Sequence, residues 1–234
     1  MRAGIVVLGF GFSLLALGAL ADMVVAVKEA PAAAKRPSLR LVWVDVHKIA
    51  EAVRPVAFAE TTTLLESAGV DLEWERNDGR QRVVRDGEVQ VVLLPEPMPP
   101  LRRHIMGAAQ PGAYGVRVVW VFLASVREAL GLPRRASGLL RPIETRRLAR
   151  ALARVILHEV VHVTDPARPH AARGLLAARL DRPFLENGRL EIETELVPVF
   201  RAAAEVRETP VDEGLMAVSG GDSMSATMAP IIAD

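Results

Sequence analysis

The chain contains no cysteine. That absence excludes a disulfide framework and any thiolate metal site, and it leaves His, Asp and Glu as the only strong metal ligands. It identifies no compartment by itself. Charge of one sign is also missing. Lys and Arg total 29 against 28 acidic residues, a net charge of +1. Basic residues are scattered and often paired with acids, which excludes nucleic-acid binding as a general reading. No glycine-rich phosphate loop, dinucleotide fingerprint or internal repeat is present, so no nucleotide cofactor is expected. Apolar residues make up 50% of the 234 positions. The chain can therefore bury a real core, sized for one ordinary domain of about 150–200 residues with tails.

Residues 1–21 read as a secretory signal. Arg2 is followed by an uncharged run from Ala3 to Ala21, and Ala19-Leu20-Ala21 offers small residues before Asp22, where cleavage is expected. The alternative is an uncleaved anchor, because apolar character resumes from Met23 to Val27 and residues 3–27 would then attach the protein to a membrane. Either reading places the remainder outside the cytoplasm, secreted, periplasmic or anchored. Residues 22–38 form a linker, 39–207 the folded domain, and 208–234, rich in Gly, Ser, Met and Ala, a disordered tail.

Within the domain, Leu39–Val46 alternates as a strand, and His47 through Ala68 turns helical, with Pro55 breaking it so that the helix proper begins near Val56. Strands follow at Val70–Arg76, around Arg82–Val84, at Glu88–Leu94 and at Val116–Val121, with the stretch 101–115 irregular or an edge. Trp43, Trp74 and Trp120 fall in these strands as packing residues. A short helix spans Phe122–Leu130. A long one starts at Pro142, suited to a first helical position, and runs to Thr164 before Pro166 forbids continuation. Leu148, Leu152, Val155, Ile156, Val160 and Val163 supply its apolar stripe, and Arg146, Arg147, Arg150 and Arg154 read as solvated. A last helix is expected over Leu190–Arg207, packed back on the long one.

The long helix ends in His158-Glu159-Val160-Val161-His162. Residues four apart share a helix face, so both imidazoles can hold one metal ion. Glu159 can lean over that metal without ligating it and act as general base toward water. The plain alternative is two histidines on a solvated face. A catalytic zinc needs a third protein ligand and an open position. His170, in the proline-stiffened loop after the helix, is the candidate. Asp165 in the same loop is a rival, or a carboxylate that orients a ligating His. Glu191 and Glu195 are distant rivals whose plain reading is a charged helix edge. His47 and His104 read as surface residues.

A mixed sheet with one early helix, a long helix ending in HEVVH and a nearby third His resembles the metzincin clan of zinc metalloproteases, over roughly residues 39–205. The clan motif is H-E-x-x-H-x-x-G-x-x-H followed by a methionine-bearing turn. Here the clan glycine is Asp165, its third His is Arg168, and Leu176 after Gly174 stands for the methionine. The resemblance implies an α+β zincin-like fold, His158 and His162 as zinc ligands, Glu159 as catalytic base, and a peptide or protein substrate. The third ligand, His170, is read from this chain. The competing reading is a membrane-tethered relative that binds zinc or a partner without cutting.

Overall fold

The computed structural model describes residues 36–77, 84–85, 87–110, 116–135 and 140–205. The expected signal or anchor, the linker up to Lys35, the tail, and most of the strand around Arg82 lie outside these residues.

The architecture is α+β. Strands β1 (Ser38–Val44), β2 (Asp71–Asn77), β3 (Glu88–Leu94), β4 (Gly107–Gln110) and β5 (Arg117–Phe122) form one mixed sheet in the order β2-β1-β3-β5-β4. The first four in that order are parallel, and β4 runs antiparallel to β5 at the edge. Parallel neighbours need crossovers, and helix α1 (Arg54–Ser67) supplies the one from β1 to β2. Helix α2 (Leu123–Ala129) follows β5 directly. Helix α3 (Pro142–Thr164), a short α4 (Arg182–Glu186) and α5 (Val197–Glu205) complete the fold.

Strand periodicity explains the core. Trp43, Val91 and Val119 sit in one row across three strands, Leu93 pairs with Val121 in the next, and all are buried among residues of α1 and α3. On that face Trp43 meets Phe58 of α1 edge-on at 5.3 Å, and Phe58 stacks on Trp74 of β2 at 4.1 Å. Trp43 and Trp74 are packing residues, as expected; Trp120 is half-buried.

Arg154 and residues 190–193 differ from the sequence reading, while Pro55 and the stretch 101–115 sharpen it. The first helix begins at Arg54, close to the expected Val56, with Pro55 in its opening turn, where a missing N–H costs nothing. The stretch 101–115, expected to be irregular or an edge, contains the edge strand β4, and β5 lies inside the sheet. Arg154 is not solvated: it is 1% exposed, its guanidinium bonded to the Asn187 carbonyl and lying 5.9 Å from the Phe184 ring, and burial lowers its pKa. Residues 190–193 are not helical. A 3-10 turn (Thr194–Leu196) precedes α5, so Glu191 and Glu195 share no helix face.

Helix α3 begins and ends where Pro142 and Pro166 imply. The Glu144 carboxylate accepts the Arg141 N–H at 2.9 Å and binds its guanidinium, which holds this carboxyl down at about 2. From Ala151 to Val163 every residue of α3 is buried, so the helix is the spine between the sheet and the C-terminal segment. Among the described residues no helix is long and apolar enough to cross a membrane.

Candidate metal centre

The last turns of α3 carry His158 and His162, and both are buried, at 7% and 4% exposure. The chain leaves the helix through Asp165, whose φ of −130° is open to any residue, so no glycine is required there. Arg168 Nε donates to the Asp165 carboxylate at 3.0 Å. The loop then returns His170 to the helix. His162 Nε2 lies 3.2 Å from Nε2 of His158 and 3.1 Å from Nε2 of His170. Among the described residues, these three histidines are the group able to hold a metal. Asp165, Glu191 and Glu195 are not part of it. His47 is exposed, and His104 is exposed on the cleft wall.

The donor set fits zinc. Nitrogens at about 2.0–2.1 Å from a tetrahedral zinc stand about 3.3 Å apart, close to the spacing found. His158 Nδ1 lies 2.7 Å from the Leu175 carbonyl oxygen. That oxygen can only accept, so Nδ1 carries the proton and Nε2 presents its lone pair to the centre. His162 Nδ1 is buried without a hydrogen-bond partner among the described residues. Burial pushes the pKa of both His158 and His162 down to about 4, which keeps them neutral at physiological pH, as ligands must be.

Glu159 sits beside this centre on the cleft side, 7% exposed. Desolvation pushes its carboxyl up to about 8. It packs against Gly107 at the start of β4. A Cβ there would come within 2.5 Å of Glu159 Oε1, so only glycine leaves room for the carboxylate. The cleft, about 780 Å³, runs between β4 and the segment Ala177–Arg182, with His158, Glu159, His162 and His170 in its wall.

The turn under His158 matches the expected Gly174-Leu175-Leu176. Gly174 has φ +85° and its carbonyl accepts the Ala177 N–H at 3.2 Å, while Leu175 and Leu176 are buried in the core. Two residues near the site had no signal in the sequence: Gly107, in a stretch with several glycines, and Glu193, whose Oε1 accepts the Leu175 N–H at 2.7 Å.

No family model matches the chain, and no curated protein matches it. Among solved structures, archaemetzincin from Methanopyrus kandleri is similar, with a TM-score of 0.42 and 12% identity over 74% of this chain and 98% of that one. A likeness of that degree carries no argument about function, which has to come from the site.

Proposed function

We propose that this protein is an exported zinc metallopeptidase, with His158, His162 and His170 holding the metal and Glu159 as general base. The observation that carries the proposal is the convergence of three imidazole nitrogens, two from one helix and one from the following loop, beside a buried carboxylate. Zinc, when bound, supplies Lewis acidity that polarises a carbonyl and makes water acidic near neutral pH. The chain supplies the rest. The Glu159 carboxylate takes the proton of the attacking water and returns it to the leaving amine. Strand β4 has one edge paired to β5 and the other on the cleft, where an extended peptide can add as a further strand. The closeness of Gly107 to Glu159 then brings the base next to the peptide bond.

The purified protein is expected to hold one zinc per chain. Ala at His158, His162 or His170 should abolish tight binding, and Asp165→Asn should not. Glu159→Gln should retain zinc but lose cleavage of an unstructured protein substrate, and chelation should abolish cleavage by the native chain. Cleavage unaffected by Glu159→Gln would remove the proposed base. Zinc bound equally well without any of the three imidazoles would remove the centre.

Arg2, the uncharged run to Ala21 and the small residues before Asp22 support export. N-terminal sequencing after expression in a bacterial host is expected to begin at Asp22 in the extracytoplasmic fraction. A membrane-bound product starting at Met1 would replace cleavage by anchoring through residues 3–27, and a soluble full-length cytoplasmic product would exclude both.

A further inference from the structure

We infer that Glu193 is a positioning residue for the metal centre, acting on His158 through the backbone of Leu175; the inference rests on His158 being a ligand. Leu175 is held from both sides. Its N–H donates to Glu193 Oε1 at 2.7 Å, and its carbonyl oxygen accepts the His158 Nδ1–H at 2.7 Å. The two groups belong to different peptide units, so what passes from Glu193 to the imidazole is placement rather than polarisation. A bond to a charged acceptor is roughly twice as strong as a neutral one, which suits a fixed anchor.

The surrounding chain is built around this carboxylate. A Cβ on Gly174 would lie 1.9 Å from Glu193 Oε1, and the φ of +85° at Gly174 independently favours glycine. The Glu193 carbonyl accepts the Leu196 N–H at 2.8 Å, and Leu196 is buried in the core, so the residue carrying the carboxylate is itself fixed. The second oxygen, Oε2, is buried with no partner among the described residues. A carboxylate kept for an ion pair would face a cation. This one gives one oxygen to a single N–H and leaves the other unsatisfied, at a cost to stability. The arrangement makes sense for a group whose task is to hold Leu175 at one height beneath the His158 ring.

The test measures zinc affinity of the full-length chain by chelator competition, together with the visible spectrum of the cobalt-substituted protein. Glu193→Asp withdraws the carboxylate by one methylene while keeping its charge. It should weaken zinc by about tenfold or more, in the range found for residues that orient ligands, and alter the cobalt bands. Glu193→Ala should do the same, whereas Glu193→Gln, which retains the acceptor oxygen, should remain within about threefold of the native affinity. If Glu193→Ala does not fold, the Asp and Gln variants decide. Native affinity and an unchanged cobalt spectrum in Glu193→Asp would overturn the inference while leaving the zinc site standing. A native chain that binds no zinc would overturn both.

Discussion

At the scale of single residues, burial sets the protonation of the centre before any metal arrives. Glu159 rises from 4.5 to about 8, so between those values the folded metal-free chain holds a proton that the unfolded chain has lost. Its contribution to stability is therefore fully present below 4.5 and is lost as pH climbs to about 8. His158 and His162 move the other way, from 6.5 to about 4, so the unfolded chain binds more protons in that window and stability falls as the medium is acidified through it. From 4.5 to 6.5 the two trends oppose; above 6.5 Glu159 is the one of the three still titrating. Urea denaturation of metal-free protein should accordingly show stability declining from pH 6.5 to 8, with the decline removed in Glu159→Gln. A divalent cation beside the carboxylate favours its ionised form, so zinc-loaded protein should lose the decline too. A slope that persists in Glu159→Gln would mean that another group titrates there.

Among the elements, α3 and β4 divide the work. Helix α3 is buried on all sides from Ala151 to Val163, so its last turns hold the imidazoles on a rod with little freedom. Strand β4 has the opposite character: four residues at the edge of the sheet, with Gly107 against the carboxylate. Gly107→Ala should displace Glu159 without touching a ligand. Zinc occupancy should stay native while kcat falls by about 10²-fold, the usual consequence of an ångström-scale misplacement of a catalytic group. Native kcat in Gly107→Ala would show that β4 does not set the position of the base. The same contrast explains what could be read at this scale. The start and end of α3 follow from Pro142 and Pro166, both local effects. The strand character of β4 does not, because Gly-Ala-Ala-Gln has little β-propensity and becomes a strand only by pairing with β5. Arg154 misled for a related reason. One arginine in a basic run looks solvated until α4 and Asn187 close over it.

For the whole molecule, the centre ties together segments that the chain delivers separately: α3, the loop to His170, the turn at Gly174 and the stretch before α5. A ligand that binds the folded state alone stabilises it by about 2.7 kcal/mol at a hundred times its dissociation constant. For a chain of 234 residues this corresponds to a rise in Tm of about 5–10 °C. Calorimetry with and without zinc should show that rise in the native protein and in His104→Ala, and should lose most of it in His170→Ala. Equal shifts in all three would place the metal elsewhere.

The sequence alone determined the α+β class, the spans of most strands, the long helix and its limits, and the pairing of His158 with His162 around Glu159. Each follows from a short-range signal, a period of two residues for strands or 3.6 for helices or the prolines that bound α3, which the chain carries without reference to anything distant. The tertiary structure alone brought His170, and not Asp165, Glu191 or Glu195, into one group with the helix pair. It also set Gly107 against Glu159 and Glu193 against Leu175. Those depend on where a proline-stiffened loop and a core-anchored turn come to rest against α3, and no local periodicity encodes that distance.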